Sequence, residues 1–285
     1  MKRVILLTLG FLTACSSHAN VPSPRTGFAE VNGTRLYYEE QGNGRPVVLI
    51  HGAMLDRTMW DDQVPELAKG YRVIRYDARG FGRSARSNTP FKAHEDLKGL
   101  LDHLSVDRAD LIGLSLGGRI AIDFALTYPT RVRSLVLAAA GVSGVPGDQT
   151  PGAWLTDMMT AIRARDTIAA SDAWLRSEAM TPAMERADLR DRLRTITYAN
   201  SGIFAMGSNP EQIMVPPARD RLRELRVPVL VLIGTRDAAS LRGMSDMLAA
   251  RVTGARRVWI EGAGHLLNLE RPQEFNRAML DFLNR

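Results

Sequence analysis

Short runs of consecutive apolar residues recur along this chain, each bounded by glycine, proline or charge. Residues 46–50 (PVVLI), 109–114 (ADLIGL), 132–139 and 228–233 (PVLVLI) are such runs. A strand buried on both faces reads this way, because neither face needs polar residues. Residues 72–76 (RVIRY) and 256–260 (RRVWI) predict two further strands. The N-terminal pair differs: residues 28–32 and 35–40 alternate apolar and polar around Asn32-Gly33, a hairpin pattern. Helical spacing appears between these runs. Leu97, Leu100, Leu101 and Leu104 mark a helix over residues 93–104, and residues 117–128 mark another, stopped before Pro129. Residues 244–251 predict a third, and residues 272–284 a fourth that opens on Pro272. Strands alternating with helices predict a mostly parallel sheet covered on both faces.

Residues 144–217 break that rhythm. They hold no clear buried strand. Trp154, Leu155, Met158, Met159 and Ile162 share one helical face, Ile168, Trp174 and Leu175 suggest a second helix, and Leu189, Leu193 and Ile196 a third. This predicts a helical insertion over residues 144–216, bounded by Pro146 and Pro216-Pro217. The α/β core then comprises residues 28–143 and 217–285.

Composition excludes several classes. The chain has 285 residues, 45% hydrophobic and 24% charged, which are ordinary globular values. They exclude a disordered tail protein, a collagen and a coiled coil. The single cysteine excludes a disulfide scaffold and a cysteine-based zinc site. Only four of the 37 basic residues are lysines, and the net charge is +6. The arginines are interleaved with 31 acids and form no long basic block, so a mixed solvated surface is expected and no nucleic-acid partner.

The N-terminus reads as a targeting segment. Met1-Lys2-Arg3 is followed by an apolar run over residues 4–12 and then by small residues, the pattern of a secretory signal too short to span a bilayer. Leu12-Thr13-Ala14-Cys15 resembles the lipobox of bacterial lipoproteins. The resemblance implies removal of residues 1–14, acylation of Cys15 and a membrane anchor on an exported protein. Ser16 in the next position implies outer-membrane sorting. Residues 15–27 would then be a tether.

The candidate chemistry begins at Gly113-Leu114-Ser115-Leu116-Gly117, a G-x-S-x-G between a predicted strand and a predicted helix. That context makes it a nucleophile elbow, with the Ser115 hydroxyl held on a sharp turn. Gly113 and Gly117 let strand and helix approach without a Cβ clash. The helix N-terminus puts N–H groups beside the hydroxyl. Serine needs a base. His18 lies in the tether; His94 and His103 lie on a charge-rich helix and are expected to be exposed; His51 ends a strand. His265, in the glycine-rich loop after the last strand, is the best base. Asp237, just after the PVLVLI strand, lies at the same sheet edge and is the expected orienting acid. Residues 138–147 hold no Asp or Glu to compete with it. The residue after the nucleophile, Leu116, offers one oxyanion N–H.

With these pieces placed, the chain resembles the α/β-hydrolase superfamily, especially its capped esterase and haloperoxidase-like branch. The order Ser115, Asp237, His265 is the one expected there. His51-Gly52-Ala53-Met54 resembles the oxyanion loop, which implies the Ala53 N–H as second donor and a structural His51. Residues 77–84 (DARGFGRS) resemble another family loop. Leu114 departs from the histidine common in relatives. The resemblance implies a serine hydrolase cleaving carboxylic esters through an acyl-enzyme, with no metal or organic cofactor. The insertion would cap an apolar pocket to which Met158, Met159, Met180, Met184, Met206 and Met214 could contribute. Two alternatives keep the same triad: a carbon–carbon bond hydrolase, holding an acid through Arg186, Arg190 or Arg194, and a lactonase. A non-enzymatic binding protein would be expected to show a broken triad, and this one is intact.

Overall fold

The computed structural model describes residues 23–86, 89–145, 152–206 and 210–285. Cys15 and the signal segment lie outside them. Eight strands form one sheet: β1 (Arg25–Val31), β2 (Thr34–Gln41), β3 (Arg45–Ile50), β4 (Tyr71–Tyr76), β5 (Ala109–Leu114), β6 (Val132–Ala138), β7 (Val229–Gly234) and β8 (Arg256–Ile260). Their order across the sheet is β1-β2-β4-β3-β5-β6-β7-β8. β2 pairs antiparallel with β1 and with β4; β4 through β8 pair in parallel. The hairpin turns at Asn32-Gly33, both with positive φ. β1 opens at Arg25, which pairs with Glu40, so residues 25–27 belong to the sheet and not to the tether expected over 15–27.

The helices are α1 (Val64–Leu67), α2 (Ala93–His103), α3 (Leu116–Thr127), α4 (Ala153–Arg163), α5 (Thr167–Leu175), α6 (Thr181–Met184), α7 (Ala187–Ala199), α8 (Ala218–Arg221), α9 (Ala239–Arg251), α10 (Leu267–Glu270) and α11 (Pro272–Leu283). Every residue of β5 and β7 is buried, because helices cover both faces. One apolar cluster unites Leu111, Ile120, Phe124 and Val231 under α2, α3 and α9. The other unites Leu49, Ile112, Leu232 and Phe275 under α1 and α11. Among the described residues, no helix is long and apolar enough to cross a membrane.

Helices α4 to α7 and a 3₁₀ turn (Ser201–Met206) lie between β6 and β7, as the break in the pattern predicts. The chain returns through Glu211, which bridges to Phe91, and Ala218, whose N–H donates to Ser143 Oγ. α4 is only partly buried: Ala161 is its one buried residue and Met159 is 40% exposed. His94 also departs from expectation. It is buried, with Nε2 3.5 Å from Glu95, because it lies on the inward side of the first turn of α2. Burial holds its pKa below the ordinary histidine range, with the Glu95 charge opposing.

Candidate active site

β5 carries Ser115 to the C-terminal edge of the sheet, and α3 starts at the next residue. Ser115 has φ 53° and ψ −112°, a conformation costing on the order of 1–3 kcal/mol and found where function holds a side chain up. Close approach of three segments makes it possible. A Cβ on Gly117 would sit 2.0 Å from the Ile50 carbonyl oxygen, and one on Gly113 would sit 2.3 Å from the Gly117 carbonyl oxygen. Both are backbone contacts with no flexible end to yield. The Ser115 N–H donates to Ala138 O, and its carbonyl accepts from Arg119 N–H and Gly141 N–H. The Ser115 peptide is therefore tied to β6 and to the loop after it.

The loops after β7 and β8 bring Asp237 and His265 together. His265 Nδ1 lies 3.1 Å from Asp237 Oδ2, and both side chains are buried. Asp237 Oδ1 accepts from the Ala238 N–H at 2.8 Å, so both carboxylate oxygens are engaged. The Arg236 N–H donates to Ala263 O, which joins the two loops beside that pair. His265 and Ser115 line one cavity of about 210 Å³.

The loop expected to supply an oxyanion donor is built on His51. Its ring is fully buried. Nε2 accepts from the Ala78 N–H at 2.9 Å, which leaves Nδ1 as the donor to the Gly52 carbonyl at 2.8 Å. Burial holds its pKa below the ordinary range against the Asp77 and Asp56 charges, in keeping with a neutral structural ring. Ala53 then faces the cavity. Leu116 opens α3, so its N–H has no carbonyl one turn back to bond. Residues 77–84 are scaffold: Asp77 accepts from Arg57 and from the Arg83 N–H, Arg79 pairs with Asp96, and Ser84 Oγ donates to Asp77 O.

The cavity's roof differs from expectation. Trp154, Trp174 and Met180 come from the insertion; Ala238, Ser240 and Leu241 come from the start of α9; Leu55 and Leu114 come from the core. Among the described residues, Met180 is the one methionine of the insertion that lines it. Met214 lies in one apolar cluster and Met184 packs against the other, so their burial needs no ligand. Helical periodicity marks a face and not what the face meets, which is why the tryptophans were not singled out for the pocket. Leu114 occupies the departing position as a fully buried side chain in van der Waals reach of Gly52. None of Arg186, Arg190 and Arg194 lines the cavity. Arg186 pairs with Asp188, and Arg190 donates to Met184 O. Among the described residues, the only charged side chain on the wall is Glu178, and no group of His, Cys, Asp and Glu is placed to hold a metal ion.

Residues 47–278 match the Alpha/beta hydrolase family. The chain belongs to that family. It is 31% identical, over 96% of its length and 97% of the relative's, to a 2-hydroxy-6-oxononadienedioate/2-hydroxy-6-oxononatrienedioate hydrolase of Burkholderia vietnamiensis. A hydrolase of the same name from Paraburkholderia phymatum is 30% identical over 87% of this chain and 91% of the relative. Among solved structures, an enol-lactonase from Burkholderia xenovorans superimposes with a TM-score of 0.74 at 30% identity, covering 91% of this chain and all of the other. The protein is an enzyme of the hydrolase class. The names of these relatives fit the alternatives of carbon–carbon and lactone cleavage more closely than the general carboxylic-ester cleavage expected from sequence.

Proposed function

We propose that this hydrolase uses Ser115 as nucleophile, His265 as general base and acid, and Asp237 as the group that orients and stabilises the imidazole. The observation that carries the reading is the buried His265–Asp237 pair opening, with Ser115, onto one cavity. His265 Nε2 takes the Ser115 proton as Oγ attacks the carbonyl carbon. The negative charge that develops on the carbonyl oxygen is met by the N–H groups of Ala53 and Leu116; losing one such donor typically costs about 10²–10³-fold. The imidazolium returns its proton to the leaving oxygen, and water activated by His265 releases the acid.

The scissile bond we favour is that of a lactone. Opening the ring leaves the new hydroxyl attached to the acyl-enzyme, and deacylation yields a hydroxy acid. Two observations support an uncharged cyclic ester. Among the described residues the wall is mostly aromatic and aliphatic with the serines Ser177 and Ser240, and its one charged side chain, Glu178, is acidic. A dianionic substrate entering beside Glu178 would lose hydration with no cation to replace it. Carbon–carbon cleavage of a dienedioate is the second reading, favoured by the names of the two relatives at 30–31% identity. A panel of lactones, p-nitrophenyl esters of short and long chain, and a ring-cleavage dienedioate tests both. We expect kcat/KM highest for a lactone, with Ser115→Ala inactive on it. Preference for the dienedioate by more than tenfold would replace the lactone reading with the second one.

We propose also that Cys15 carries lipid and holds the protein at a membrane. Acyl chains contribute about 0.8 kcal/mol per buried CH₂, and stable anchoring takes more than one chain; a diacylglyceryl group with an N-acyl chain meets that condition. Intact mass of the mature protein is the measurement. We expect a chain beginning at Cys15 with added lipid, and membrane release on Cys15→Ser. An unmodified, freely soluble chain would refute the anchor alone.

A further inference from the structure

Behind the His265 loop lies a buried carboxylate that the proposed reaction does not use. Glu270 ends α10 and is 3% exposed. Its Oε2 accepts from the Gly264 N–H at 2.7 Å, and its Oε1 accepts from the Leu266 N–H at 3.0 Å. These N–H groups belong to the residues immediately before and after His265. We propose that Glu270 is a positioning residue for His265, clamping the backbone N–H groups of its two neighbours and setting a second negative charge near the imidazolium. The proposal rests on His265 being the base.

A clamp needs two acceptors on one rigid group. Charge-assisted bonds to both oxygens fix the loop's backbone more firmly than neutral ones would. The insertion also packs closely on this loop: a Cβ on Gly264 would meet Pro182 Cγ of α6 at 2.6 Å and Glu270 Oε1 at 3.1 Å. The insertion grips the same element, because Arg186 Nη1 donates to the Glu270 carbonyl. His265 is thus held between α10 and the insertion that roofs the cavity.

The charges around Glu270 are Asp237 and His265 on the site side, Arg186 on its carbonyl, and Glu185, Arg236 and Arg271 in the adjoining cleft. Burial, the largest effect, holds the Glu270 pKa above the ordinary carboxylate range; the Asp237 charge adds to it, and the two amides and His265 oppose it. A buried carboxylate is costly to desolvate unless its bonds repay it. A glutamine would fill the same space with one acceptor and would turn an NH₂ group toward one of the two amides.

The test uses the full chain and the best substrate of the panel, with Ser115→Ala as background. Glu270→Gln is expected to lower kcat by about 10–100-fold, the scale of misplacing a catalytic group by a fraction of an ångström to 1 Å, with KM changed less than threefold. The acid limb of the kcat/KM profile is expected to move to lower pH, because the imidazolium loses a nearby negative charge. Glu270→Asp keeps the charge and loses reach; kcat should fall at least fivefold with the acid limb unmoved. It also serves if Glu270→Gln does not fold. Wild-type kcat in either variant, or a lower Tm with kcat and acid limb unchanged, would overturn the proposal. Activity surviving in Ser115→Ala would instead overturn the triad on which it rests.

Discussion

Replacing Ser115 with alanine is expected to lower kcat by about 10⁴–10⁶-fold on any substrate the protein hydrolyses. The change removes one oxygen, and that oxygen is the proposed attacking atom. The fold should tolerate it. The strain at φ 53° belongs to the backbone, and alanine bears it much as serine does. The peptide's bonds to Ala138, Arg119 and Gly141 use only main-chain atoms and survive. Circular dichroism and Tm close to wild type, with hydrolysis lost, are the expected pair of results. More than a tenth of wild-type activity, in protein free of contaminating esterase, would sink the assignment.

Asp237→Asn is expected to cost on the order of 10⁴-fold in kcat, by a route visible in its contacts. Asp237 Oδ1 accepts from the Ala238 N–H, and Oδ2 faces His265 Nδ1. An asparagine that keeps the bond from Ala238 must turn its NH₂ toward the ring. Nδ1 then has to accept, so the proton moves to Nε2, and the nitrogen proposed to take the Ser115 proton can no longer do so. The imidazolium also loses the charge that stabilises it. Two other acids serve as controls. Asp246 pairs with Arg257 and Asp220 with Arg219, all four near half exposed, so Asp246→Asn and Asp220→Asn should leave kcat within about twofold, as exposed pairs contribute little. Steady-state rates of the three variants decide it: a large loss in either control with activity kept in Asp237→Asn would move the orienting role elsewhere.

What the sequence determined by itself is local. The central strands were legible because burial on both faces leaves an unbroken apolar run, as in β5 and β7. The elbow was legible because a turn this tight demands Gly113 and Gly117 at fixed offsets from Ser115. The expected cysteine lipidation is written in Leu12 to Cys15 and lies outside the described residues. Short elements escaped: α1, the 3₁₀ turn Arg57–Trp60 and α10 span four residues each, too few for a period to show.

Only the tertiary structure decided which groups meet. His94 and His265 are both buried, but one lies beside Glu95 at the start of α2 and the other beside Asp237. Among the described residues, the Met-rich insertion offers the cavity a single methionine and two tryptophans, and no arginine of it lines the wall. Glu270 carried no motif that separated it from the chain's other acids; its meaning is two bonds of 2.7 and 3.0 Å to a loop. Periodicity reports which way a side chain points along its own element. The partner across the gap is set by how strands and helices pack, and that distance is written nowhere in the order of the residues.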